Sequence, residues 1–269
     1  MNASEIRAEK KIQSQQEGYG YLTETDLSDV TDAQIKLMQQ GVDEMLTVLT
    51  EAAETGYHVL TNVLASRGEE PFVQWEHYPP GDVQDKETGA IWFYHAHGEN
   101  EIARPWFENG HFHLFRYTEM LRKGAEPLAL PKDPDFEKGG LCHLVAVSFD
   151  PNGLPVRIFT TNRWVAGEWL YPAEDVIPLL DGFEITSKDA VNGSEFTLSS
   201  RWLSALLKLY RPQIEWALRE RDKKITALKA VDENYSENKQ IEVLSAVEFD
   251  LAGQIDAIEA EATKRGLGA

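Results

Sequence analysis

The chain is poor in thiols, in basic residues and in long apolar runs. Cys142 is the single cysteine among 269 residues, which excludes an intramolecular disulfide and a thiolate-rich metal site. Lys and Arg number 26 against 45 Asp and Glu, a formal charge of -19. That balance disfavours phosphate backbones and anionic membrane surfaces, so neither a nucleic-acid nor a membrane partner is expected. No apolar run approaches the ~20 residues that cross a bilayer. The start, MNASEIRAEKKIQSQQ, lacks the apolar segment of a secretory signal. A cytoplasmic protein is the expectation. There is no phosphate loop, Rossmann glycine pattern or Gly-x-Ser-x-Gly elbow. Histidine is scarce as well, with 7 in all, yet four of them fall in one short stretch.

What is there suits a globular protein. The hydrophobic fraction is 42% and the aromatic fraction 10%, enough for a substantial core. Residues 1–30 are polar and acidic. From Asp32, apolar residues recur at helical spacing (Ile35, Met38, Val42, Met45, Leu49, Ala53), with Thr31 or Asp32 as cap and Gly56 as a divider. The middle reads as strands: FVQWEHY (72–78), AIWFYHAH (90–97), HFHLFRYT (111–118), and a hairpin of LCHLVAVSFD (141–150) and LPVRIFTTN (154–162) joined by PNG. PPGDVQDKETG (79–89) reads as a turn-rich connection.

After Asn162 the pattern returns to helix, with SSRWLSALLKLYRPQIEWALRERDKKITALK (199–229) kinked at Pro212. A second stripe, Ile241, Leu244, Glu248, Leu251, Ile255 and Ile258, suggests the other limb of a helical hairpin. The fold class expected is α+β: a central antiparallel sheet, barrel-like in one version, with N-terminal helices and a C-terminal helical hairpin. The organisation expected is a polar segment 1–30, an α+β core 31–195, and C-terminal helices 196–269 packed on the core or forming a homodimer contact.

GAIWFYHAHGENEIARPWFENGHFHLF (89–115) contains His95, His97, His111 and His113. Alternate strand residues share a face, so each His-x-His pair points one way. A pairing that sets His97 opposite His111 and His95 opposite His113 gathers four imidazoles, with Phe93 opposite Phe115 and Ile91 opposite Tyr117. Cross-strand β-carbons lie about 4.5–5.5 Å apart, close enough for several nitrogens to share one ion. A shift by one residue would separate the pairs. The competing reading is a histidine face hydrogen-bonded or stacked on Trp92, Tyr94 and Phe112, or a proton relay. Imidazole with one carboxylate and no thiolate suits iron, zinc, copper, nickel or manganese. An open coordination position would allow oxygen-dependent or hydrolytic chemistry on a small molecule, whereas a closed site would be structural or a store.

Several further groups stand near this stretch. His77 is placed at the end of a neighbouring strand, with Asp82 and Asp85 nearby as carboxylates able to hold the second nitrogen of an imidazole. His143 is placed on the next strand, sharing a face with Val145 and Val147. Asn162, Arg163 and Glu168 form a polar lip for a substrate, or a strand-to-loop junction that caps backbone. Cys142 beside His143 makes a poor nucleophile dyad, because neighbours on a strand face opposite ways.

Two resemblances follow from these strings. Gly89-x5-His95-x-His97-x3-Glu101 is similar to the first metal motif of the cupins, and the likeness implies His95, His97 and Glu101 as ligands. His111 would supply the remaining imidazole, and Glu101 has a second role open to it as general base. The closing glycine falls two residues late, at Gly110, and the second cupin motif is missing. The longer strings HYPPGDVQDKETGAIWFYHAH, GHFHLF and LPVRIFTTNRWVAGEWLYPAEDV resemble a bacterial family known as a domain of unknown function. That resemblance implies a bacterial source and one module holding all the strings, and it implies no activity.

Overall fold

The computed structural model describes residues 3–96 and 108–268. In chain order its elements are α1 (Ala3–Glu17), β1 (Gly20–Leu22), α2 (Asp32–Thr55), α3 (Thr61–Leu64), β2 (Tyr78–Gln84), β3 (Ala90–Ala96), β4 (Gly110–Tyr117), β5 (Leu141–Phe149) and β6 (Pro155–Thr161). Then follow α4 (Arg163–Ala166), α5 (Ala173–Val176), α6 (Thr197–Leu209), α7 (Arg211–Lys229), β7 (Val243–Glu248) and α8 (Leu251–Lys264). The fold is α+β around a seven-stranded sheet of order β1-β7-β6-β5-β4-β3-β2. Every pairing is antiparallel except β1 with β7. The sheet is open, so the barrel-like version of the expectation is set aside.

Local chemistry explains most boundaries. Thr31 caps α2 through a reciprocal capping box with Gln34, and Gly56 closes the helix in the left-handed region. The PNG turn joins β5 to β6, with Gly153 at φ 83 and the Asp150 carboxylate accepting from Asn152 and Leu154 N–H. The helix over 199–229 breaks at Tyr210, and Pro212 sits in the first turn of α7, where its missing N–H costs nothing.

One face of the sheet packs on helices. Trp92, Tyr94, Phe112, Leu114, Val145, Val147, Phe149 and Ile158 join residues of α2, α6, α7 and α8 in the largest core cluster. Trp92, Tyr94 and Phe112 therefore do not stack on the histidines; they point to the other side.

Three expectations are corrected. Residues 241–248 do not extend a helical hairpin: β7 pairs with β6 and β1, and α8 starts only after Asp250, which caps Gly253 N–H. The stripe from Ile241 to Ile258 crosses that boundary, and the open edge of β6 decides the conformation by supplying ladder partners. FVQWEHY is not a strand; β2 lies one segment later, in YPPGDVQ. Its prolines are tolerated because β2 is an edge strand, where an N–H can be spared. Third, β3 and β4 pair two residues away from the expected alignment: His95 faces His111, Phe93 faces His113, and Ile91 faces Phe115. The shift is even, so the faces are preserved.

Candidate metal centre

The even register puts His95, His111 and His113 on the sheet face opposite the main helical core. All three are buried, at 9%, 2% and 1% exposure. Their ligand atoms lie within 4.8 Å of one another, so the group can hold a metal ion. His95 Nε2 lies 2.9 Å from His111 Nε2, and His111 Nε2 lies 3.0 Å from His113 Nε2. The ring planes are nearly perpendicular, at 72°, 79° and 83° for the three pairs. Gly110 permits this local approach: a β-carbon there would stand 2.6 Å from the His95 carbonyl oxygen and 2.4 Å from the Tyr94 hydroxyl.

Those distances carry chemical information. An imidazole nitrogen offers one in-plane site, either a hydrogen or a lone pair. His111 Nε2 cannot serve two linear hydrogen bonds, yet two nitrogens stand at hydrogen-bond distance from it. Convergence on a common ion satisfies all three. With nitrogens at ~2.0–2.1 Å from a metal, ligands at right angles are about 2.9 Å apart and tetrahedral ones about 3.4 Å. The two spacings at His111 Nε2 match the right-angled case.

His143 extends the cluster by a route the sequence concealed. Its Nε2 lies 3.0 Å from His113 Nδ1, and its ring stands 5.0 Å from Phe115. It does not share a face with Val145 and Val147, because a bulge between Leu114 and Phe115 of β4 sets Leu114 against Val145 but Phe115 against His143. One extra residue on β5 reverses the alternation. Burial, reinforced by the Arg221 charge, pushes the His143 pKa down to about 3. A neutral His143 can accept from His113 Nδ1–H and so hold the His113 tautomer that turns Nε2 inward. Cys142, as expected, lies on the other face in the helical core, and burial pushes its thiol up to about 12.

The flank toward β2 is aromatic. His77 stacks on Phe93 at 3.6 Å and 9° and lies 6.2 Å from the His95 ring. Its Nδ1 is 2.9 Å from Asp82 Oδ1, the carboxylate partner expected for it. Trp75 stands edge-on to His95 at 6.0 Å. Trp75 (φ 70) and Asp82 (φ 58) are both held in the left-handed region, a strain found most often beside functional sites. Asp85 is elsewhere: its carboxylate accepts N–H bonds from Glu87, Thr88, Thr186 and Ser187. Burial opposes its charge, but these four donors outweigh burial and hold its pKa below the usual range.

The flank toward β6 is polar and escaped the sequence reading. In one cross-strand row His95, His111, Ser148, Arg157 and Glu248 follow one another from β3 to β7. The guanidinium of Arg157 is paired with Glu108 and donates to the Tyr19 hydroxyl at 2.7 Å. Ser148 Oγ donates to Glu108 Oε1 at 3.2 Å. A charged residue between Val156 and Ile158 in the middle of a β-prone run was the available signal for Arg157.

The TTNRW junction borders the floor of the site, since Ala166 of α4 packs with Ile91, Phe93 and Phe115. Its polar groups hold backbone and counter-ions. Asn162 Nδ2 donates to Tyr235 O at 2.8 Å and Ile241 O at 3.1 Å. Arg163 pairs with Glu237, and Glu168 Oε2 accepts from Leu141 N–H at 3.4 Å. His97 and Glu101 lie outside the described residues.

Comparison with known proteins adds little beyond membership. Cupins are double-sheet jelly rolls, an architecture different from this open single sheet. No helix among the described residues is long and apolar enough to cross a membrane. Among curated proteins and among solved structures, none matches the chain. One family profile does match, over residues 39–249, which include every histidine of the cluster: the chain belongs to the family described as domain of unknown function DUF6969.

Proposed function

We propose that this protein is a mononuclear transition-metal enzyme acting on a small molecule, with His95, His111 and His113 as protein ligands. The observation that carries the reading is the double contact at His111 Nε2, which one hydrogen bond cannot satisfy. An all-imidazole buried set favours iron, zinc, copper, nickel or manganese over calcium or magnesium. A bound ion with an open position would supply Lewis-acid or oxygen-binding chemistry, which favours oxygen-dependent or hydrolytic reactions. His143 orients His113, and His77 with Asp82 lines the aromatic flank. In this reading His97 is a further ligand and Glu101 a further ligand or general base. The lip of Asn162, Arg163 and Glu168 bounds the substrate side.

A second reading has its own support. The 3.0 Å step from His113 Nδ1 to His143 joins two imidazoles through a separate nitrogen of His113, the start of a metal-free proton relay, although the shared Nε2 of His111 lets no proton pass through that ring. Elemental analysis of the native protein separates the two. Near-stoichiometric metal is expected in the wild type, with loss in His111→Ala and His113→Ala and partial loss in His97→Ala. Added cobalt(II) at about a hundred times its Kd should stabilise the protein against urea by about 2.7 kcal/mol. Equally low metal in the wild type and the variants, with no response to cobalt(II), would overturn the metal reading.

A further inference from the structure

A cavity of about 280 Å³ opens where β7 leads into α8. In the sheet order β7 stands three strands away from β4, so the cavity is separate from the histidine cluster. Its wall combines the segment after β1, the end of β7, the first turn of α8 and the junction of α6 with α7. Glu24, Glu248 and Asp250 line it against one cation, Arg7. Leu22, Val247 and Ala257 give it an apolar side.

Acidic side chains alone would be a solvated surface, and Gln213 is what sets this cavity apart. It lines the same wall, is 4% exposed, and its Oε1 is buried with no hydrogen-bond partner. Its Nε2 is already committed, donating to Gln254 Oε1 at 2.6 Å and to Thr25 Oγ1 at 3.2 Å. Exchanging the amide's oxygen and nitrogen would only bring two acceptor oxygens to 2.6 Å. Gln213 is uncharged, so no ion pair accounts for the oxygen either. A buried acceptor without a donor is costly, and such exceptions call for a cause.

We propose that this cavity binds a small aliphatic ammonium ion. An ammonium group has three donors and no acceptor, which suits a wall that offers Gln213 Oε1 and carboxylates. Leu22, Val247 and Ala257 suit its alkyl part. A metal ion is the poorer fit. Among the described residues only the histidine triad is compact enough to hold one, so the three carboxylates stand too far apart to share an ion. Arg7 shows that the acids accept a nitrogen cation: it lies 2.7 Å from Glu248 Oε2 and 3.9 Å from Asp250 Oδ2. Its side chain is 51% exposed, so a ligand can displace it. Lys10 also approaches Glu248, at 3.7 Å, which leaves Asp250 and Glu24 as the main source of attraction.

The test is calorimetric titration of the full chain with 1,4-diaminobutane at low salt. Butane-1,4-diol is the neutral counterpart and magnesium(II) the cation of equal charge. One diamine per chain should bind, and neither control should bind or displace it at the same concentration. Gln213→Met should weaken binding about tenfold or more. Because that variant also removes bonds to Gln254 and Thr25, Asp250→Asn provides a second arm. Asparagine keeps the cap of α8, and loss of the charge should weaken binding about threefold. Arg7→Ala should tighten it about threefold by removing the competitor, whereas Arg219→Ala, which frees Glu174 instead, should change it less than about twofold. Binding of the diol, displacement by magnesium(II), or affinity unchanged in both Gln213→Met and Asp250→Asn overturns the site. So does binding of several diamines per chain, the mark of diffuse attraction to a chain of charge -19.

Discussion

The two faces of one sheet are equally dry and chemically opposite. On the helix side, Trp92, Phe112, Leu114, Val145 and Phe149 are fully buried in the main apolar cluster. On the other side, the same strands carry His95, His111, His113, His143, Ser148 and Arg157, all at 9% exposure or less. Burial of apolar side chains accounts for the first face by itself. It cannot account for the second, where each polar group loses water and must recover its bonds from the protein or from something bound. The first face stabilises the fold; the second is kept at a cost that a bound ion and its ligand would offset.

Adjacent residues of β4 give the sharpest way to break that comparison. Phe112→Ala empties a space in the helical core and should cost about 3–5 kcal/mol in urea unfolding. His111→Ala, one residue away on the other face, should cost the metal-free protein less, yet lower metal affinity a hundredfold or more in a competition titration. If His111→Ala proved as destabilising as Phe112→Ala and left metal content unchanged, the two faces would not differ in kind.

A smaller effect is expected at Asp85, which lies outside the centre. Asp85→Asn should cost about 2 kcal/mol at pH 7 through weaker bonds to four backbone donors. The folded pKa is depressed, so the unfolded chain binds the proton more readily. The wild type's advantage over the variant is therefore complete above the unfolded pKa of about 3.9. It is lost as pH falls through the lower folded value, which paired denaturation curves between pH 7 and 2.5 would record. Smallest of all, Thr31→Ala should cost about 1 kcal/mol by removing the cap of α2, with no change in metal affinity. Loss of metal in either of these variants would mean that the site face depends on general stability rather than on its own residues.

How much was legible follows from the range of each signal. The PNG turn, the Thr31 cap, the Gly56 stop and the common face of His111 and His113 are decided within a few residues, and the sequence displays them. The alignment of β3 with β4 was displaced by two residues because matching aromatic pairs fit either even register. The face of His143 is not legible in LCHLVAVSFD, because a bulge leaves no local mark there. The meeting of Arg157, Ser148 and Glu108 depends on three different segments, which no local pattern displays.

The amino-acid sequence by itself determined the period of each strand, and hence that imidazoles two apart project together from a thiol-poor, acidic chain. Only the tertiary structure decided which imidazoles meet, that a fourth joins through His113, and that residues 243–248 complete the sheet rather than continue a helix. The reason is physical: alternation and capping are properties of neighbours along the chain, whereas register, bulges and edge pairing are settled by what the rest of the molecule places alongside.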